Sequence, residues 1–256
     1  MSTIFNGNSY DFTEYTDAIN WIGGSWVNAQ SAESMDVINP RYGRVMGKVS
    51  LSGAADVELA VAAAKEALPA WRAMPIRERG AVFYRLRELM HAHIEELTWL
   101  VSHENGKTYG ESKAEVLKAI ECAEYGCSLP NIAAAPQLEV SRGVECRIVY
   151  ESLGIVAGVT PFNFPLMVPL WMLPQALVGG NAFILKPSEK VPLSVIRLAE
   201  LLQEAGLPDG IFNIVNGAQA AVEALCDHEE ITALAFVGST RVAKIVYGRA
   251  AQTGKR

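Results

Sequence analysis

Four short clusters of polar and glycine residues recur along the second half of the chain: Thr160-Pro161-Phe162-Asn163-Phe164-Pro165, Lys186-Pro187-Ser188-Glu189, Asn216-Gly217 and Gly238-Ser239-Thr240. Each follows a short apolar run and precedes a stretch of helical periodicity. Each therefore marks a strand end and a helix start, where free backbone N–H groups attract phosphate. Gly238-Ser239 suits this best, because glycine lets a ligand approach the backbone and serine caps the helix. Any one cluster alone reads as an ordinary turn; four at one sheet edge read together as a ligand site. Neither G-x-G-x-x-G nor a phosphate-loop motif is present, so the residues alone specify only a nucleotide-like ligand.

The elements that must position these clusters alternate. Ile155–Thr160, Ala182–Leu185, Phe212–Val215 and Ile231–Val237 read as strands. Pro165–Val178, Val191–Ala205, Ala218–Cys226 and Arg241–Ala251 read as the helices that follow them. Short buried strands alternating with helices predict an α/β fold with a Rossmann-like parallel sheet, its ligand beyond the carboxyl ends of the strands. Upstream, Ala54–Met74 reads as one helix. A second opens at Pro75, with Phe83, Leu86, Leu89, Met90, Ile94 and Leu97 on one face. Glu104-Asn105-Gly106-Lys107 interrupts the pattern before a third helix through Val116, Leu117, Ile120 and Ala123. From Gln137 to Ser152, Leu138, Val140, Val144, Cys146, Ile148 and Tyr150 alternate around Ser141-Arg142-Gly143, which predicts a hairpin. Two strands alone are marginal, so a partner for this ribbon is expected, such as another subunit. The organisation expected is a mostly helical part over 1–136, the hairpin over 137–153 and a Rossmann-like core over 154–256.

Composition narrows the partners. The 256 residues carry a formal charge of −6 and a pI near 5.3, which disfavours nucleic acid. The start of the chain shows no basic segment followed by an apolar one, so a cytoplasmic location is expected. The apolar stretch Leu153–Ile184 is interrupted by Pro161, Pro165, Pro169 and Pro174 and contains Asn163 and Asn181. It reads as buried core and not as a membrane span. Cys122, Cys127, Cys146 and Cys226 show no metal spacing, and His91 and His93 point apart on a helix. No metal is expected, and His103 and His228 read as structural.

Pro161-Phe162-Asn163-Phe164-Pro165, Gly180-Asn181, Leu185-Lys186-Pro187-Ser188-Glu189, Gly206-Leu207-Pro208-Asp209-Gly210 and Phe236-Val237-Gly238-Ser239-Thr240 stand in order. With Asn39-Pro40, Glu104-Asn105-Gly106-Lys107 and Gly254-Lys255-Arg256, the set resembles the aldehyde dehydrogenase superfamily over most of the chain. That resemblance implies NAD bound on a Rossmann-like sheet without the usual glycine fingerprint. Lys186 and Glu189 would hold the adenosine ribose, and a carboxylate there favours NAD over NADP. Gly217 would line the adenine side, Ser239 would meet the pyrophosphate, and Phe236 and Gly238 would lie along the dinucleotide. Thr160, Pro161, Phe162 and Ser188 complete the implied cofactor set. Asn163 would donate to the oxyanion formed when a cysteine thiolate attacks the aldehyde.

Met167-Val168-Pro169-Leu170-Trp171-Met172 and Cys226-Asp227-His228 resemble the methylmalonate-semialdehyde branch, which passes its acyl group to coenzyme A. That branch carries an arginine on the helix near Glu115–Glu121, where this chain has Lys118. Lysine offers a point charge in place of a bidentate fork. Family members are longer, so the nucleophilic cysteine, the general base and the catalytic domain are expected beyond Arg256. By this reading the full-length form is a homo-oligomer acting on a small aldehyde. The chain alone is expected to be the cofactor-binding half, or alternatively an inactive NAD-binding or interaction domain.

Overall fold

The computed structural model describes residues 9–133 and 135–256. Two strands near the start, Asn20–Ile22 (β1) and Ser25–Val27 (β2), are joined by Gly23-Gly24, whose φ angles are +61° and +76°. Positive φ at both central residues is what the tightest hairpin turn requires, and glycine meets it without strain. Trp21 and Trp26 face each other across this pair with ring centroids 4.6 Å apart. A second antiparallel ribbon joins Ser34–Asn39 (β3) to Arg44–Ser50 (β4). Its turn is tied by Asn39 Oδ1, which accepts from the Arg41 and Tyr42 backbone N–H groups at 2.9 and 3.3 Å. Periodicity does not anticipate these four strands; β1 and β2 are three-residue runs, too short for alternation to register.

Four helices follow: Ala54–Ala73 (α1), Ile76–Ala92 (α2), Ile94–Asn105 (α3) and Tyr109–Ile132 (α4). The helix expected to run on from Pro75 breaks at His93, which caps the end of α2 and the start of α3. The apolar positions continue across the break, so their spacing did not reveal it. The physical reason lies in packing. α3 turns to meet a later helix through Glu96, whose Oε1 accepts from Arg197 Nε at 2.7 Å. Its Oε2 lies 2.6 Å from His93 Nδ1. α4 opens on a reciprocal cap: Thr108 Oγ1 accepts from Glu111 N at 3.3 Å, and Glu111 Oε2 accepts from Thr108 N at 3.0 Å.

Gln137–Ser141 (β5) and Val144–Arg147 (β6) form the expected hairpin, although pairing ends at Arg147 and not near Ser152. Beyond it run Ile155–Val159 (β7), Met167–Val178 (α5), Ala182–Lys186 (β8), Leu193–Glu204 (α6), Phe212–Ile214 (β9), Gln219–Asp227 (α7), Ile231–Phe236 (β10) and Thr240–Gln252 (α8). The six-stranded sheet has the order β10-β7-β8-β9-β1-β2. Its first four strands are parallel, while β1 joins β9 antiparallel and β2 forms the edge. The parallel core is as expected; the antiparallel extension is not.

β7, β8 and β9 step in one direction across the sheet, and β10 returns to the other side of β7. With right-handed crossovers this places α5 and α6 on one face and α7 on the other. Where the direction reverses, the helices leave the sheet oppositely and open a crevice at the carboxyl ends of β7 and β10. The main core lies on both faces and includes Phe183, Ile184, Leu185, Leu170, Leu173, Phe83 and Trp71. α4 lies close against α5 at Gly126, where an added Cβ would stand 2.7 Å from Pro174 Cβ. Among the described residues no helix is long and apolar enough to cross a membrane.

Candidate functional site

A cavity of about 350 Å³ opens in that crevice, between α7 and α8 and over the ends of β7, β8 and β10. Val159 and Phe236 come from the strands, Val222 from α7, and Val242, Ile245 and Val246 from α8. Its walls are thus largely apolar, with charged groups gathered around them. Lys186, at the end of β8, is only 5% exposed. Its Nζ donates to Glu189 Oε2 at 2.8 Å. Burial pushes the Glu189 carboxyl up, but the charge and hydrogen bond of Lys186 outweigh it and hold the group below its ordinary value. Glu189 is therefore anionic at neutral pH, and its Oε1 is free of Lys186.

The turn into α8 explains two further predicted positions. Ser239 caps the helix, its Oγ accepting from Val242 N at 3.4 Å. A Cβ on Gly238 would lie 2.5 Å from the Phe236 ring, so glycine lets that ring fold over the turn. Gly217 precedes α7, and the adjoining Ala218 and Gln219 line the cavity. A Cβ on Gly217 would stand 2.8 Å from Ala221 Cβ and 3.0 Å from Ser52 O, so close packing alone accounts for a glycine here. Ser188 shapes the Lys186–Lys190 turn, accepting from Lys190 N at 3.3 Å. Thr160 is buried and donates its N–H to Lys186 O at 3.2 Å, which ties the ends of β7 and β8 together. Pro161 follows it at the mouth of the next loop.

That loop carries Asn163, which is exposed. Its side-chain amide has no hydrogen-bond partner among the described residues. The loop backbone, in contrast, is held from below. Asn105 Nδ2 donates to Phe162 O and Lys107 Nζ to Asn163 O, each at 2.6 Å. Lys107 also sits 3.9 Å from the centroid of the Phe164 ring and 2.5 Å from Glu115 Oε2. The other carboxylate oxygen, Glu115 Oε1, accepts from Leu166 N at 3.0 Å and Met167 N at 3.3 Å at the start of α5. In the sequence, Glu104-Asn105-Gly106-Lys107 reads only as a helix interruption and a family motif, which gives these supports no role. The signal available was three polar side chains between two helices, one of them a lysine that must find a partner if buried.

Not every predicted residue shares the first cavity. Phe162 lines a second, of about 570 Å³, with Met35, Ile38, Pro40 and Asn105. Lys118, read as standing where the resembled branch carries an arginine, is exposed and pairs with Glu121 at 2.7 and 3.0 Å. Burial pushes the thiols of Cys122, Cys127 and Cys226 above their ordinary value, away from the activated thiolate of a nucleophile. Cys146 lies on the exposed hairpin. His103 is buried, 2.5 Å from the Tyr15 hydroxyl and 2.7 Å from Ser9 O, and His228 pairs with Glu58 at 3.0 Å.

The chain is similar in sequence and fold to known proteins. The sequence profile of the aldehyde dehydrogenase family matches residues 26–256. Malonate-semialdehyde dehydrogenase 1 of Geobacillus kaustophilus is 46% identical over 244 residues, which is 95% of this chain and 50% of the relative. The crystal structure of a methylmalonate-semialdehyde dehydrogenase from Oceanimonas doudoroffii superposes with a TM-score of 0.92 at 41% identity, covering 94% of this chain and 49% of that one. An aldehyde dehydrogenase of Bacillus cereus, solved as its NAD+ complex, gives 0.89 at 30% identity over 94% and 50%. The chain thus spans about half the length of the relatives it matches. A profile match over nearly the whole chain, on a sheet with this crevice, places it plainly: the chain belongs to the aldehyde dehydrogenase family.

Proposed function

We propose that this chain is the NAD-binding part of an aldehyde dehydrogenase acting on a small semialdehyde, with acyl transfer to coenzyme A as in the methylmalonate-semialdehyde branch. The observation that carries the cofactor assignment is the Lys186–Glu189 pair beside an apolar cavity at the sheet's switch point. The donor set fits the group. A buried ammonium and an anionic carboxylate offer a donor and an acceptor to ribose hydroxyls, and the anion disfavours a 2′-phosphate. Apolar walls from α7 and α8 suit a planar base, and the first turn of α8 behind Ser239 suits the pyrophosphate. When bound, the nicotinamide supplies the hydride acceptor.

The chain's own part in the chemistry is to position and to stabilise. Asn163 presents an unpaired side-chain amide to the oxygen on which negative charge develops during acyl transfer. Such a donor is worth roughly 10²–10³ in rate where it has been removed from other enzymes. Lys107 and Glu115 hold the backbone that carries it. Cys122, Cys127, Cys146 and Cys226 take no part as nucleophile in this reading. Purified chain mixed with propanal and NAD, with or without coenzyme A, is accordingly expected to yield no NADH. NADH formation would overturn the exclusion of these four thiols.

A calorimetric titration of NAD tests the cofactor assignment. Binding is expected for the wild type, and Glu189→Ala should weaken it by about tenfold, the loss of roughly 1.4 kcal/mol. No heat of binding at millimolar NAD would sink the assignment.

A further inference from the structure

The segment Ser9–Tyr15 runs across the junction of α3 and α4 and is fastened there by side chains. His103 Nε2 lies 2.7 Å from Ser9 O, and His103 Nδ1 lies 2.5 Å from the Tyr15 hydroxyl. The Tyr10 hydroxyl accepts from Tyr109 N at 2.7 Å, at the start of α4. Its ring meets Trp99 edge-on, with centroids 5.0 Å apart. The contacts at His103 and Tyr109 bracket Asn105 and Lys107, the two side chains that hold the loop bearing Asn163. A carbonyl can only accept, so Nε2 of His103 carries the proton and donates to Ser9 O. Nδ1 then keeps its lone pair and accepts from the Tyr15 hydroxyl. Only the neutral imidazole can make both bonds. A proton on Nδ1 sets donor against donor, and the buried Tyr15 hydroxyl has no other partner among the described residues.

The surroundings do not compensate a charge on His103. The titratable and charged groups around it are Tyr10, Asp11 and Tyr15 of the segment, Arg41 of the β3–β4 turn, Glu104 of α3 and Tyr109 of α4. Asp11 is exposed and accepts from Ser9 Oγ at 2.8 Å. Glu104 is turned toward Leu193 N and Ser194 N, and burial pushes it up to about 7, so acid removes its charge first. Burial, with repulsion from Arg41, outweighs the Ser9 hydrogen bond and holds His103 below its ordinary 6.5. We propose that Ser9–Glu14 is an acid-released latch with His103 as its catch, and that it positions the Asn163 loop through Asn105 and Lys107. The stabilisation that neutral His103 provides is complete above 6.5 and is lost as pH falls through the lower value of the docked imidazole. Tyr15 stays in place, because its N–H donates to Met46 O at 2.7 Å, so the latch opens from Ser9 toward that point. Tyr10 then leaves Tyr109 N, and the support of the loop slackens. His103 is a positioning residue, and its bearing on catalysis rests on the reading of Asn163 above.

Hydrogen exchange and the imidazole proton resonances of the full chain, followed between about pH 8 and pH 5, test the proposal. As His103 titrates, exchange at Ser9–Glu14, at Tyr109 and over Phe162–Met167 should quicken together. The gain should be about tenfold for each unit between the docked value and 6.5. His103→Gln can still donate and accept but takes up no proton, so it should flatten this pH dependence. Tyr15→Phe removes only the hydroxyl and should raise the value at which His103 titrates. Glu104→Gln should leave the transition in place. Latch exchange that does not change with pH in the wild type would overturn the proposal. So would a latch that opens while Phe162–Met167 keeps its protection, or a His103 that titrates alike in wild type and Tyr15→Phe. A transition that survives in His103→Gln, or vanishes in Glu104→Gln, would assign the proton elsewhere and also overturn it. None of these measurements uses NAD, so their failure leaves the cofactor reading standing, and a chain that binds no NAD leaves them intact.

Discussion

Glu115 shows how much one buried side chain is asked to do. It neutralises Lys107 with one oxygen and caps the start of α5 with the other. Glu115→Gln keeps an acceptor for the Leu166 and Met167 amides but removes the charge that Lys107 needs. Leaving a largely buried ammonium unpaired is expected to cost about 3 kcal/mol in urea denaturation. Hydrogen exchange should become faster over Phe162–Met167, the segment bearing Asn163, and protection equal to wild type there would separate stability from loop positioning. Glu104 is a second buried carboxylate, accepting from Leu193 N at 2.6 Å and Ser194 N at 3.0 Å. Burial pushes it up from an ordinary 4.5 to about 7. In the unfolded chain it ionises first, so its contribution to stability is complete below pH 4.5 and is lost as pH rises to about 7. Glu104→Gln should remove that decline, and parallel wild-type and variant curves of stability against pH would contradict it. Neither carboxylate was legible as a support. Glu115 meets Leu166 across 51 residues of sequence, with no periodic pattern to mark the contact. Lys186, Glu189 and Ser239 were legible because each falls at a strand-to-helix junction, although their roles came from family resemblance.

At the scale of elements, legibility followed length and continuity. The strand of Ile231–Phe236 and the helix after it were readable, because an apolar run of that length is bounded by glycine and polar residues. The α2–α3 break was not, since Met90, Ile94 and Leu97 keep helical spacing across it while the cause lies in α6. There Arg197 is buried with Glu96 at 2.7 Å and Glu200 at 3.0 Å. Arg197→Ala should strand the Glu96 carboxylate and cost about 3–5 kcal/mol. Arg197→Ala combined with Glu96→Gln should recover part of the loss; a double variant no more stable than the single would show that packing and not charge is at stake. The β1–β2 hairpin did carry a signal, Gly23-Gly24 between two short runs, but three-residue strands gave it too little support.

For the whole molecule, the parallel sheet and its ligand-bearing edge were foreseeable from alternation, whereas the antiparallel strands at the far edge were not. Every residue of the two strands of the β5–β6 hairpin is exposed. Leu138 is 67% exposed, and Val140 and Val144 are also open. Such an edge invites pairing with another chain. We expect the purified chain to self-associate, and the charged substitutions Leu138→Lys and Val144→Glu to reduce that association in sedimentation velocity. A wild type that stays monomeric at tens of micromolar would count against the hairpin as an interface.

The attachment of β1 to β9 has a further consequence. Trp21 pairs with Ile214, and Asn20 Oδ1 accepts from Asn216 N at 2.8 Å across 196 residues. During synthesis β1 has no place in the sheet until β9 has emerged, since the Asn20–Asn216 contact spans 196 residues. Local helices such as α1 and α2 can form meanwhile, but closing so distant a contact is slow. β1 therefore waits for a strand made long after it, and the edge of β9 stays open until β1 docks. Order of synthesis and order of assembly run in opposite directions at this edge of the sheet.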